Sequence, residues 1–337
     1  MENKQAAREV GRNVGGQLSM TSLAFWNAFW TTMRPYLTFV SGAAGLVGLA
    51  FDRGIGPVRA IGAFIPFFFS YGLGQALTDC FQTDTDAISS PYRPLVRGIV
   101  SRRQVLAVSL TGLLLGTVIL GVLNPMILIF GIVAVLGLLT YTILKRTWWG
   151  GPPWNSWIVA LLPIMGRLVD RGYHLQEIFR IRGSSLAFIS AVLAVFFGYA
   201  NFVVIGYFKD ISADRSTGYR TFPVVFGWRA NAIYSDLLAV AAAALTGATI
   251  LSVGRLSVYG LLLYVFAIGL NVYAQNEIHR TRDEKKAHGP IAHVVRSFIL
   301  YCGSIAVTLK PRWIVLMVVF YFAFEWTLKL RPEERQV

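Results

Sequence analysis

Acidic residues are scarce in this chain, 17 in 337, so the places where they gather carry information. Asp79, Asp84 and Asp86 lie together in "GQALTDCFQTDTDAISSPYRPLVRG", and Asp210 and Asp214 lie in "GYFKDISADRSTGYRTFPVVFG". In each stretch an apolar run ends in spaced carboxylates, and a Tyr-Arg pair follows: Tyr92-Arg93 after Asp86, and Tyr219-Arg220 after Asp214. The two stretches form a pseudo-repeat with a period of about 130 residues, confined to these motifs. At 3.6 residues per turn, Gln75, Asp79, Gln82 and Asp86 fall on one helical stripe, Asp84 points elsewhere, and Asp210 and Asp214 are one turn apart. Like charges at that spacing repel, and ionisable groups at membrane depth are costly, so the pattern predicts something cationic between the carboxylates. Magnesium suits that place, because it takes carboxylate oxygens, keeps several waters and bridges to substrate phosphates. The cations beside the acids, Arg93, Lys145, Arg146, Lys209 and Arg220, would then meet phosphate oxygens directly. A lone loop arginine more often snorkels, and a lone helix-end carboxylate is more often solvated. Two matched clusters with nearby Tyr-Arg pairs are much harder to explain that way.

The elements that must position these residues are membrane helices. Hydrophobic residues make up 55% of the chain and charged ones 14%, and the mean hydropathy is +0.56. A soluble domain carries about 25% charged residues. Apolar runs near 35–52, 60–78, 104–122, 125–143, 185–207, 231–252, 256–275 and 313–328 approach the roughly 20 residues a spanning helix needs. Two further runs are ambiguous: 153–169, with Pro153 and Pro163, and 291–309, with His293 and Arg296 near its start. Runs such as "LLLGTVILGVL" lack the alternation of barrel strands, which leaves helices as the spanning structure. The expected fold is an all-α integral membrane bundle of nine or ten helices. Small residues such as Gly42, Gly45, Gly72 and Gly74 are expected to let those helices pack closely.

Three segments follow: 1–33, an N-terminal amphipathic, cytoplasmic segment; 34–330, a single transmembrane domain; and 331–337, a C-terminal tail. Phe25, Trp26, Phe29 and Trp30 suit an interfacial helix over 18–33 or an extension of the first span. No cleavable signal peptide is expected. Cys80 and Cys302 argue for neither a disulfide framework nor a metal site. With a cytoplasmic N-terminus, the loops near 83–103, 144–152, 209–229 and 277–296 share one side and hold the Lys/Arg excess. Arg167, Arg171, Arg180 and Arg182 violate that bias, partly offset by Asp170 and Glu177. The net charge of +14 is spread over short loops, which suits anionic headgroups and disfavours a nucleic-acid partner. Trp148, Trp149, Trp154 and Trp157 read as an interfacial belt.

"TDTDAISSPYRPLVRG" and "YFKDISADRSTGYRTFPVVFG" resemble the two aspartate-rich motifs of the UbiA-type intramembrane prenyltransferases. "YTILKR" resembles the Tyr-x-x-x-Lys-Arg segment after that family's fourth helix, and "MRPYLTFVSG" resembles its start. The second motif matches fully through Lys209, Asp210, Asp214 and "RTFPVVFG". The first departs from Asn-Asp-x-x-Asp-x-x-x-Asp: its positions fall on Thr78, Asp79, Gln82 and Asp86, so Thr replaces Asn and Gln replaces one Asp. The resemblance implies a nine-helix fold around a central cavity in which a magnesium-bound isoprenyl diphosphate is ionised and its allylic cation is attacked by a hydrophobic acceptor, whether lipid, pigment or aromatic. It assigns Asp79, Asp86, Asp210 and Asp214 to catalysis and, with Gln82, to two magnesium ions. It assigns Gln75, Thr78, Gln82, Tyr92, Arg93, Lys145, Arg146, Lys209, Tyr219 and Arg220 to the diphosphate. The expected setting is the cell membrane, crossed several times, with the site facing the cytoplasm. Cyclisation of a prenyl diphosphate without an acceptor stays open as an alternative. A transporter is disfavoured, because it calls for charges in the middle of broken helices.

Overall fold

The computed structural model describes residues 17–52, 54–170, 176 and 183–331, and every regular element among them is helical. Helix α1, Leu23–Met33, starts where the Ser22 hydroxyl accepts a hydrogen bond from the Phe25 N–H at 3.2 Å. It is amphipathic as expected, with Phe25 and Phe29 buried and Trp26 and Trp30 each 47% exposed. It is also a separate element. Arg34 takes a left-handed conformation, φ 52°, which ends α1 before a short turn at Pro35–Leu37 leads into α2, Thr38–Phe51.

The first predicted span, α2, is the bundle's axis, since every one of its residues is buried. It packs on α3 (Pro57–Asp79), α7 (Gly151–Leu168) and α12 (His288–Leu309). Its approach to α7 requires glycine. A Cβ on Gly48 would lie 2.2 Å from the Pro163 carbonyl oxygen, and one on Gly166 would lie 2.8 Å from that of Gly45. Side chains from α3 and the α1 region fill the equivalent space beside Gly45 and Gly72.

The remaining elements are α4 (Thr83–Ser89), α5 (Arg102–Leu123), α6 (Met126–Lys145), α8 (Gly183–Gly206), α9 (Ile211–Ser216), α10 (Phe222–Ser252), α11 (Val258–Arg280) and α13 (Ile314–Lys329). Eight of the described helices are long and apolar enough to cross a bilayer: α3, α5, α6, α8 and α10 to α13. Both runs that were ambiguous in sequence are helices, α7 and α12. The latter tolerates Arg296 because its guanidinium donates to both oxygens of Glu325 on α13, at 2.7 and 3.0 Å. Asn201 on α8 accepts from Ser235 on α10 at 2.7 Å and from Gln275 on α11 at 3.2 Å, a polar tie among helices that apolar lipid cannot drive together.

The loops expected on one side do meet there. The Arg220 N–H donates to the Arg146 carbonyl at 3.1 Å, and Ser212 donates from its N–H and hydroxyl to Glu284, the latter at 2.7 Å. At the other end, Arg59 donates to the Val169 carbonyl at 2.6 Å and Arg167 donates to that of Phe51. The charge of Arg167 on the unexpected side therefore satisfies a helix C-terminus. Arg171, Glu177, Arg180 and Arg182 lie outside the described residues, as do 1–16 and 332–337.

Candidate active site

The first acidic motif does not lie on one continuous helix. Helix α3 ends at Asp79, a turn closes through hydrogen bonds from Phe81 N to Thr78 O at 3.0 Å and from Gln82 N to Asp79 O at 3.2 Å, and α4 begins at Thr83. The stripe read from the 3.6-residue period survives that break: Gln75, Asp79, Gln82 and Asp86 all line one cavity of about 400 Å³, and Thr78 joins them. The second motif breaks similarly. After α8 a single turn at Tyr207–Lys209 leads to Asp210 at the head of α9, whose carbonyl accepts from Asp214 N at 2.7 Å. Lys209 and Asp210 line the same cavity. A hydrogen bond of 3.0 Å between the Thr85 and Thr217 hydroxyls joins α4 to the end of α9, so the two motifs, far apart in sequence, meet.

The cation between the first motif's carboxylates belongs to the protein. Arg93 forms an ion pair with Asp86 and lies 3.6 Å from Asp79. Asp79 also accepts from Arg34 at 2.8 and 3.1 Å and from Gln75 at 2.7 Å, so its carboxylate is well supplied with donors. Lys145 donates to the Gln82 side-chain oxygen at 2.7 Å. Arg34, Arg93, Lys145 and Lys209 thus face the cavity against Asp79, Asp86 and Asp210 at its polar end. Burial pushes the Asp86 carboxyl up, an effect opposed by the charge of Arg93. Burial pulls the Arg93 guanidinium down, but Asp86 and Asp79 outweigh it and hold the group charged.

Asp214 stands behind the cavity wall. One of its oxygens accepts from Thr221 at 3.0 Å, the other is buried without a hydrogen-bond partner, and burial pushes the carboxyl up to about 6. Among the described residues, no three His, Cys, Asp or Glu side chains gather to hold a metal by themselves. An orphaned Asp214 oxygen close to Asp210 instead suits magnesium, which needs one or two carboxylates and completes its shell with water and substrate phosphate.

The Tyr-Arg pairs divide unequally. Arg93 enters the cavity, whereas Tyr92 hydrogen-bonds Ser90 at 3.4 Å and is not part of the lining. In the second pair neither residue is part of the lining, and Tyr219 is the buried one. Arg146 lies 4.7 Å and Lys145 5.5 Å from its ring centroid, and its hydroxyl donates to Asp84 at 3.2 Å. Arg220 is exposed, and Arg146, also exposed, pairs with Asp84 at 3.2 Å. Neither lines the cavity as expected: both side chains are exposed on the loop surface, where the Arg220 N–H donates to the Arg146 carbonyl. Arg34 was missed. Next to Pro35 at the head of an apolar run it reads as an interfacial anchor, and only its bond to Asp79 reveals that it points inward. Tyr71, Tyr141, Tyr199 and Tyr207, which also line the cavity, were hidden among apolar neighbours.

Residues 37–289 match the model of the UbiA prenyltransferase family. The chain is 33% identical over 217 residues to the digeranylgeranylglyceryl phosphate synthase of Halobacterium salinarum, covering 63% of this chain and 73% of that protein. It is 25% identical over 218 residues to the synthase of the same name from Pyrococcus abyssi, covering 63% and 74%. Among solved structures, the apo form of a UbiA homolog from Aeropyrum pernix superimposes with a TM-score of 0.67 at 23% identity, over 83% of this chain and 98% of that one. A UbiA homolog from Archaeoglobus fulgidus bound to GPP and Mg2+ gives 0.61 at 17% identity, over 83% and 99%. At these identities the likeness is one of fold.

Proposed function

Because the chain belongs to the UbiA prenyltransferase family, we propose that it transfers an isoprenyl group from an allylic prenyl diphosphate to a glycerol-lipid acceptor, with magnesium. The observation that carries this reading is the single cavity in which both acidic motifs and four cations meet above an apolar shaft. The names of the relatives support a glycerol-lipid acceptor. Arg34, Arg93, Lys145 and Lys209 bind the diphosphate oxygens, and Asp79 positions Arg34 and Arg93 for that task. Asp210 and Asp214 would hold one magnesium ion, and Asp86 with the amide oxygen of Gln82 would hold a second once Arg93 and Lys145 turn from them to the diphosphate; bound magnesium would supply positive charge to the departing diphosphate. The carbon–oxygen bond breaks with its electron pair leaving on the diphosphate, a lone pair of the acceptor hydroxyl closes on the allylic carbon, and the hydroxyl proton passes to the released diphosphate. Apolar walls exclude water while the cation exists, and the ring faces of Tyr141 and Tyr207, the lining tyrosines beside Lys145, stabilise it. We place the polar end of the cavity on the cytoplasmic side, where the Lys/Arg excess lies.

The test uses purified protein with magnesium, an allylic diphosphate and a glycerol-lipid acceptor. Prenylated lipid and released diphosphate are expected, with turnover abolished in Asp210→Ala and Asp86→Ala. Full activity of Asp210→Ala would remove the site, and a hydrocarbon formed without acceptor would assign cyclisation instead.

A further inference from the structure

Partway down the cavity two tyrosine hydroxyls meet. Tyr199 on α8 donates to Tyr71 on α3 at 3.3 Å, Asn155 on α7 donates to Tyr199 at 3.3 Å, and the two tyrosine rings lie edge to face with centroids 6.1 Å apart. All three side chains line the cavity. Helix α3 packs chiefly on α2 and α5, and α8 packs on α7 and α10, so the hydroxyl contact bridges two elements that are not principal neighbours. It is a crossbar over the shaft.

Its depth follows from helix geometry. Tyr71 lies eight residues before Asp79 on α3, which is about 12 Å at 1.5 Å per residue. The cavity continues below it: Ile65 and Pro66 on the same helix, Leu120 on α5, and Leu162 and Met165 on α7 are also lining residues. Ile65, six residues beyond Tyr71, adds about 9 Å. An extended isoprene unit spans about 5 Å, four carbon–carbon bonds of ordinary length. A ten-carbon tail anchored at the charged end therefore stops above the crossbar, and a twenty-carbon tail passes it.

We propose that Tyr71 and Tyr199 are specificity-determining residues that sort prenyl donors by length, a role that rests on the prenyl-diphosphate reading of this cavity. A long tail must part the two hydroxyls and lie against them, leaving polar groups unpaired in an apolar shaft. A short tail leaves the bond intact.

The experiment measures binding of geranyl and geranylgeranyl thiolodiphosphates, which resist ionisation, to the full-length protein with magnesium by calorimetry. Tyr199→Phe and Tyr71→Phe each delete the bridging bond and keep the ring. Each should improve the twenty-carbon to ten-carbon affinity ratio about tenfold, the factor set by one hydrogen bond's net free energy. The double variant should add nothing further, since one bond is broken only once. An unchanged ratio, or equal changes for both lengths, overturns the crossbar while leaving the cavity's function intact. Failure of the wild-type protein to bind either analogue overturns the functional reading and the sorting role together.

Discussion

Gln82 is the residue at which this chain departs most from its family's acidic pattern, and the structure gives that departure a physical meaning. A carboxylate there would face Lys145 at the distance where the Gln82 amide oxygen now accepts a hydrogen bond, 2.7 Å. Neutral oxygen coordinates magnesium more weakly than a carboxylate does. Gln82→Asp is therefore expected to keep turnover and lower the magnesium concentration for half-maximal activity; a higher requirement would remove Gln82 from the metal's surroundings. Arg34 makes a second case. It is only 8% exposed and bound to Asp79, so Arg34→Ala removes the shortest charged contact of a buried carboxylate that keeps Gln75 and Arg93, and should cost about 1.5–3 kcal/mol of stability. Arg34→Lys keeps the charge but loses the fork. It should fold and show a raised KM for the diphosphate donor, read from initial rates.

At the scale of elements, the crossing of α2 and α7 and the pairing of α12 with α13 are the features most open to test. Gly48 faces a backbone carbonyl that has no side chain to swing aside, so Gly48→Val should force the helices apart and cost about 1–3 kcal/mol. Thermal unfolding in detergent would read this as a lowered Tm, whereas Gly206→Ala, where nothing lies within 4 Å, should leave Tm unchanged. Removing Glu325 strands the guanidinium of Arg296 within the bundle. Glu325→Ala should destabilise on the order of 3 kcal/mol, and the double change Arg296→Leu with Glu325→Leu should recover much of that loss.

For the whole molecule, the proposed orientation has a direct readout. Both native cysteines are buried, so a membrane-impermeant maleimide should leave the unmodified protein untouched. Arg220→Cys, exposed on the loop beside the site, should label from the cytoplasmic side only, and Gly56→Cys, in the loop before α3, from the opposite side only. The reverse pattern would place the charged end of the cavity away from the cytoplasm. The fold explains why the loops separate in this way: the connections that carry both acidic motifs, the Lys145-Arg146 segment and Glu284 are hydrogen-bonded together at one end of the bundle.

Composition and spacing alone determined the membrane setting, the helical class and the two acidic clusters, because a bilayer demands long apolar helices and leaves charges only where something holds them. The side chains that face the cavity at its charged end followed partly from helical period, which placed Gln75, Asp79, Gln82 and Asp86 together even though the helix itself breaks after Asp79. Tertiary structure decided the rest. Arg34 and the tyrosines of the shaft carry no local signal, since an arginine or a tyrosine near an apolar run looks the same whether it turns toward lipid or inward. Packing also decided that Arg93 would lie between two carboxylates where the sequence suggested a metal, and that Arg146 and Arg220 would face outward. Which way a side chain points depends on helices that touch it from far along the chain, and no periodicity encodes that.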